Sequence, residues 1–279
     1  MGPRFDELLK ARFKAFQYEL WMDHERNPPP ILYHYTGEET FRKIVTSREL
    51  WVCDIDGLND PSEGKYAMKM LARLAAHKFV PTPVVQIFQK SETLFGVTDH
   101  WHQYVACFSE AKNLEHQCNG YADGGKGVAL GINSEALFEN ASGNYAWVRM
   151  LYDDAEQQEK LIATIDHVIN TSRELGIPDR DLADFWLTGR AAQSLIISAL
   201  RVKDPGEENS KEREWRIVML RADREGSESV DGRYHMKLPL ATLLDSVVLG
   251  PNCSLEPEET QCLLSEHGLP TVSVERATA

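Results

Sequence analysis

The sequence has no long uninterrupted apolar segment. No window approaches the roughly 18 apolar residues that a membrane-spanning helix needs. The N-terminal stretch MGPRFDELLKARFKAFQYEL is charged and amphipathic, so it lacks the apolar core of a secretory signal peptide. It also lacks the small hydroxyl residue of a myristoylation motif. We therefore predict neither membrane insertion nor lipid anchoring.

Cysteine is scarce. The chain has 5 cysteines, no two of them form a CxxC pair, and the odd number leaves at least one unpaired in any disulfide scheme. In a chain of 279 residues this usage is typical of reduced thiols, so we expect a cytoplasmic protein.

Positive charge is also in short supply. The chain has 30 Lys and Arg residues against 43 Asp and Glu, which gives a formal net charge of −13. This field argues against non-specific binding to nucleic acid or to an anionic membrane. It is still compatible with a locally basic cleft that binds a small anionic ligand.

Several common chemical motifs are missing. There is no P-loop, no GxGxxG fingerprint, no GxSxG elbow and no HExxH helix. His100 and His102 form a close pair, but no cysteine or carboxylate stands at metal-ligand spacing, so no metal is predicted. The glycine run at 124–127 fits a phosphate-binding turn or a hairpin turn equally well.

The hydrophobic periodicity predicts a mixed α+β protein. We expect an N-terminal helical extension over residues 1–28 and one domain over residues 29–279, with no internal repeat. Helices are predicted over 5–24, 63–78, 84–95, 134–137, 154–175, part of 179–203, and 256–267. Strands are predicted over 105–109, 127–132, 147–152, 215–221, 243–249 and 271–274.

The stretch from Ile31 to Leu58 predicts a buried strand, a short amphipathic helix and a second strand. The first strand carries His34, and a histidine in an apolar strand needs a hydrogen-bond partner or a functional role. Tyr121 and Glu214 likewise stand where strands are expected to begin or run. Each also fits a structural role: a satisfied core histidine, a tyrosine packed under a turn, or a glutamate on a solvated edge.

Seven separated blocks of the sequence are Leu32-Tyr33-His34-Tyr35-Thr36, Leu58-Asn59-Asp60-Pro61-Ser62-Glu63, Cys107-Phe108-Ser109, Tyr121-Ala122-Asp123, Lys126-Gly127-Val128, Lys203-Asp204-Pro205-Gly206 and Glu212-Arg213-Glu214-Trp215-Arg216. In this order, and over the range from Leu32 to about Val274, these blocks resemble the bacterial DUF2971 family. Cys118 departs from the pattern, because the family usually has a Trp three residues before the Tyr.

The family's order of His, Tyr and Glu is in turn similar to the signature of ADP-ribosyltransferases of the diphtheria-toxin and poly-ADP-ribose polymerase type. This second resemblance implies a single domain with a mixed, largely antiparallel split sheet surrounded by helices. It implies NAD as co-substrate, no metal, and a bacterial toxin or defence effector. The catalytic residues it implies are Glu214, His34, Tyr121 and Glu212.

The resemblance also implies a role for each residue. Glu214 would stabilise the oxocarbenium-like transition state from beside the ribose, and Tyr121 would stack on the cationic nicotinamide ring. His34 would donate a hydrogen bond to a ribose hydroxyl. Glu212, expected on the same strand face as Glu214, would orient the acceptor.

The remaining NAD-binding candidates are less specific. Tyr35 and Thr36 would shape the adenosine side, and Arg216 would pair with a glutamate or with phosphate. Asn59 and Glu63 either form the turn and cap before a helix or line the cleft beside the His34 strand.

Three functions are open at this stage. The first is an ADP-ribosyltransferase whose unknown acceptor is a protein or small molecule sooner than a nucleic acid. The second is a non-catalytic ligand-binding or interaction domain in which the His, Tyr and Glu are structural. The third is an NAD glycohydrolase. The sequence does not indicate an oligomeric state.

Overall fold

The computed structural model describes residues 3–25, 28–55, 62–78, 80, 82–90, 102–140, 145–187, 189–221 and 224–277. The helices are α1 (Pro3–Glu25), α2 (Glu38–Ser47), α3 (Ser62–His77), α4 (Thr82–Lys90), α5 (Glu115–Tyr121), α6 (Ser134–Asn140), α7 (Asp154–Glu174), α8 (Leu182–Leu187), α9 (Gly189–Ala199), α10 (Glu207–Ser210) and α11 (Pro257–Glu266). The strands are β1 (Ile31–Thr36), β2 (Glu49–Asp54), β3 (His102–Ser109), β4 (Val128–Asn133), β5 (Tyr145–Arg149), β6 (Glu214–Arg221), β7 (Glu228–Val230), β8 (Arg233–Pro239), β9 (Leu244–Leu249) and β10 (Ser273–Arg276).

These strands join in one sheet with the order β10-β9-β4-β1-β3-β2-β8-β7, and β6 pairs with both β3 and β5. The β9–β10 pair is parallel. The other registered pairs, such as β1 with β4 and β3 with β6, are antiparallel. The prediction of a single α+β domain with a mixed, largely antiparallel sheet is confirmed.

The sheet divides at one edge of β3. Along its other edge β3 pairs with β6 over its full length, from His102 to Ser109. On the dividing edge β2 registers opposite Tyr104 and Val105, and β1 registers only opposite Ser109. Residues 106–108 therefore have no registered strand partner on that edge. The last residues of β1 stay paired with β4 and diverge from β3.

The two faces of the sheet carry separate apolar cores. On β3 the side chain of Val105 belongs to the core that packs under α1, α3, α4, α7, α8 and α9. Its neighbours Tyr104, Ala106 and Phe108 belong to the core that includes residues of α2 and α11. This alternation is the period of two that a strand imposes. The N-terminal helix α1 packs on the first core through Leu9 and Phe13.

Two parts of the sequence prediction need correction. Tyr121 ends the helix α5, so it does not lie on a strand. The hairpin β7–β8 was not predicted, although its Asp231-Gly232 turn has the positive φ angles, 51° and 78°, that Asp-Gly adopts in a type I′ turn. Its strands are largely polar, which hides them from a search for apolar alternation. Residues 91–95 of the predicted helix 84–95 lie outside the described residues.

Close packing accounts for Gly127 in the glycine run, whereas Gly124 and Gly125 have the positive φ angles, 64° and 81°, that favour glycine. A Cβ on Gly127 would lie 2.2 Å from the Thr36 carbonyl oxygen, and one on Gly250 would lie 2.2 Å from the Gly125 carbonyl oxygen. The amide of Asn252 donates to that same Gly125 oxygen at 3.0 Å. The run therefore serves close backbone contacts between β1, the turn after α5, and the turn after β9.

No helix in the described ranges has the length and apolarity that crossing a bilayer requires.

Candidate functional site

A cleft of about 930 Å³ opens where the sheet divides. Its walls come from the end of β1, from α2, from β2 and β3, from α5 and from the start of β6. The sequence-predicted residues that line it are His34, Tyr35, Thr36, Tyr121, Glu212, Glu214 and Arg216. Three elements, β1, α5 and β6 with the turn before it, thus bring these residues to one concave surface. Asn59 and the side chain of Glu63 lie outside the described residues.

His34 lies on the part of β1 that diverges from β3. Its Nδ1 is 2.9 Å from the Cys107 carbonyl oxygen. Since a carbonyl oxygen can only accept, Nδ1 carries the proton. Burial lowers the pKa of His34, and the Cys107 hydrogen bond only partly opposes that shift. The neutral ring therefore has an acceptor at Nε2, so His34 can accept a hydrogen bond from a hydroxyl. The sequence prediction had assigned it the opposite role, as a donor to that hydroxyl.

A buried, charge-balanced cluster forms the β6 wall of the cleft. Arg216 donates from Nε to Glu214 Oε1 at 2.6 Å and from Nη2 to Glu214 Oε2 at 3.1 Å. Lys203 Nζ donates to Glu214 Oε2 at 2.9 Å and also to Glu212 Oε2. The side chains of Glu212 and Glu214 are each 5% exposed. Two carboxylates and two cations thus satisfy one another away from bulk water.

The two glutamates converge by a turn and not by strand pleating. β6 begins at Glu214, so Glu212 precedes the strand and was wrongly predicted to share its face. Between them Arg213 has a φ of 47°, a left-handed conformation that costs free energy in a residue with a Cβ. Ser109 Oγ stabilises the turn by donating to the Glu212 carbonyl oxygen at 2.7 Å.

The cluster keeps the Glu214 carboxylate ionised. Burial alone would raise its pKa, but Arg216 and Lys203 together outweigh burial and lower the pKa to about 2. The Cys107 thiol also hydrogen-bonds this carboxylate. A carboxylate has about four acceptor positions, and the thiol is the weakest of the donors present. A ligand hydroxyl that displaced the thiol would therefore find an anionic acceptor.

Tyr35 and Tyr121 have different parts in the cleft. The Tyr35 hydroxyl donates to the Ala111 carbonyl at 2.7 Å and accepts from the Leu114 amide at 3.0 Å. Both bonds tie β1 to the loop before α5, so Tyr35 positions that helix.

Tyr121 is 37% exposed and presents its ring to the cleft. Burial, and then Glu212 and Glu214, raise the pKa of Tyr121, whereas Lys203 opposes the shift.

Sequence reasoning missed four residues of this region. Lys203 was noted as part of a family block but was given no role, although a lysine upstream of two glutamates was a usable signal. Trp51, Cys107 and Gln117 also line the cleft. Trp51 stacks on His235 with ring centroids 3.6 Å apart. Cys107 stands in a family block but was given no role, and no periodicity or motif marks Trp51 or Gln117, since only the division of the sheet brings these residues together.

In the part of the chain that is described, no three His, Cys, Asp or Glu side chains group as metal ligands would.

The fold and the cleft define an α+β protein with a ligand-sized site at a divided sheet. Residues 117–217 match the family described as "Protein of unknown function (DUF2971)". This match supports the family assignment that the sequence blocks predicted. The matched range runs from α5 into β6 and includes Tyr121, Lys203 and Glu214. No curated protein and no solved structure matches the chain.

Proposed function

We propose that the chain is an NAD-dependent ADP-ribosyltransferase. The observation that carries the proposal is the meeting of His34, Tyr121 and Glu214 on one cleft at the division of the sheet. A volume of about 930 Å³ lies within the range of roughly 300–1,000 Å³ that is usual for small-molecule sites. The acceptor is a macromolecule, and the net charge of −13 favours a protein over a nucleic acid.

In the proposed reaction the bond between ribose C1′ and the nicotinamide nitrogen breaks, and its electron pair goes to the nicotinamide. An oxygen or nitrogen of the acceptor forms the new bond to C1′ and loses a proton to water. Tyr121 holds the cationic ring, and His34 Nε2 accepts a hydrogen bond from a ribose hydroxyl. The Glu214 carboxylate binds a second ribose hydroxyl and stabilises the developing positive charge.

A second candidate function has its own supporting observation. The Lys203–Glu212–Glu214–Arg216 cluster is buried and internally paired, as a structural ion network would be. It would then hold β6 in place in a ligand-binding domain without catalysis. An NAD glycohydrolase, with water in place of the acceptor, uses the same site as the transferase.

Release of nicotinamide from NAD tests the proposal. We expect turnover by the wild-type chain and its loss in Glu214→Gln and Tyr121→Ala. Tyr121 lies outside the ion pairs, so Tyr121→Ala keeps the fold even where Glu214→Gln loosens it. The control is Glu266→Gln, at an exposed carboxylate on α11.

The outcomes separate the candidates. No nicotinamide release by the wild type with any acceptor or with water refutes catalysis. Loss of folding in Glu214→Gln, together with no nicotinamide release by the wild type, favours the binding domain. Release with water alone and no labelled acceptor identifies a glycohydrolase.

We also propose a cytoplasmic location. The structure has all 5 cysteines as free thiols, Cys53, Cys107, Cys118, Cys253 and Cys262, which supports a reducing compartment.

A further inference from the structure

Gln117 has an amide that makes no hydrogen bond within the described part of the chain. It lies on α5, is 7% exposed as a whole residue and lines the cleft. Its amide atoms are not among the buried unpaired atoms of the described residues, so the small part of the residue that stays accessible includes the amide. An unpaired amide on the wall of a cleft is therefore suited to a ligand that completes it.

The position of Gln117 on the helix is set by its neighbours. Cys118 and Ala122 pack with Tyr35 in a small apolar cluster that holds α5 against the sheet. Gln117 and Tyr121 are one helical turn apart, so their side chains are neighbours on the same side of α5. Both line the cleft. The helix thus presents side by side an aromatic ring and a primary amide that has no hydrogen-bond partner among the described residues.

We propose that Gln117 recognises the carboxamide of the nicotinamide ring while Tyr121 stacks on the ring. This inference rests on the proposed NAD-dependent function and assigns the residue that selects the leaving group. A primary amide has both a donor and an acceptor, so two such groups form a matched pair of hydrogen bonds. A carboxylate at the same ring position has acceptors only, and it would face the Gln117 carbonyl without a proton between them.

The test uses free nicotinamide and free nicotinic acid, neither of which has a ribose bond to break. Their dissociation constants are measured by ligand-observed NMR titration at pH 7 on the whole chain. We expect the wild type to prefer nicotinamide by about tenfold or more, because a site built around a hydrogen-bonding pair rejects a ligand that cannot form it. In Gln117→Leu we expect nicotinamide to bind roughly tenfold more weakly and the preference to vanish.

The matched control is Asn119→Leu, which removes an exposed amide from the same helix and should leave both dissociation constants unchanged. A melting curve adds a second readout. Since the Gln117 amide has no partner among the described residues, Gln117→Leu should melt at or above the wild-type temperature.

Three results of this titration would contradict the role of Gln117. An unchanged preference in Gln117→Leu, an equal change in Asn119→Leu, or a wild type that binds neither ligand overturns the inference. Nicotinamide release from NAD with an unchanged preference in Gln117→Leu overturns this inference alone and leaves the proposed function standing. A preference that depends on Gln117 in a chain that releases no nicotinamide refutes the transferase alone and supports a binding domain for nicotinamide.

Discussion

Lys203 is the residue on which the two glutamates of the cleft depend. Its ammonium group donates to both Glu212 and Glu214, and its side chain is 4% exposed. Removing one partner of a buried ion pair leaves an uncompensated buried charge, which lowers the stability strongly. Replacing the whole pair by apolar side chains changes the stability much less. The cluster therefore depends on all four of its members at once.

We expect Lys203→Met to lower the free energy of unfolding by about 3–5 kcal/mol, because Glu212 and Glu214 would both lose the buried cation that they share. Urea unfolding followed by circular dichroism measures the change. Lys69→Met, at an exposed position on α3, is the control and should change the stability little. Equal effects of the two substitutions would contradict a central role for Lys203.

The pKa of Glu214 predicts how the stability depends on pH. Its value in the folded chain, about 2, lies below the ordinary 4.5. The carboxylate therefore stabilises the fold above pH 4.5, and this contribution disappears as the pH falls towards 2. We expect the difference in unfolding free energy between wild type and Glu214→Gln to shrink over that interval. A difference that stays constant with pH would show that the ion pairs do not lower this pKa.

At the scale of elements, α5 and its turn determine the shape of the site. The turn after α5 folds back so that the Gly127 amide donates to the Ala122 carbonyl at 2.8 Å. It then passes within contact of the Thr36 carbonyl at the end of β1. This close approach places Tyr121 beside β1 and β6.

We expect Gly127→Ala to destabilise the fold by roughly 1–3 kcal/mol, since the new Cβ would meet backbone atoms that cannot move aside. Gly120→Ala, in the helix α5 that precedes this turn, meets nothing within 4 Å and should be neutral or stabilising by up to about 1 kcal/mol. Thermal melting of the two variants compares them. Equal melting temperatures would contradict the packing account of the glycine run.

At the scale of the whole molecule, the five cysteines differ in exposure, so their rates of modification can test whether a ligand occupies the cleft. Cys262 is exposed, Cys118 and Cys253 are buried, and Cys53 and Cys107 line the cleft. Burial raises the pKa of the Cys53, Cys118 and Cys253 thiols, which keeps them protonated and slow to react.

We expect N-ethylmaleimide to modify Cys262 first, and NAD to slow the modification of Cys53 and Cys107 without changing that of Cys262. Mass spectrometry of peptides at timed intervals measures the rates. Slowing at Cys262 as well, or at no cysteine, would place NAD elsewhere or exclude its binding.

The sequence by itself determined the α+β class and most elements, including β1, α2 and the long helix α7, and it predicted the family that residues 117–217 match. These follow from local periodicity and from side chains that are neighbours in the chain. It also selected His34, Tyr121 and Glu214, which do line one cleft.

Only the tertiary structure decided what those residues contact. The protonated nitrogen of His34 depends on a carbonyl 73 positions away, and the charge of Glu214 depends on Lys203, which reaches it from the loop after α9. The Gln117 amide, which has no partner among the described residues, has no local sequence signal at all. The groups that the fold packs around a polar side chain determine its protonation state and the hydrogen bonds that it can still form. In this protein the division of the sheet at β3 determines that packing.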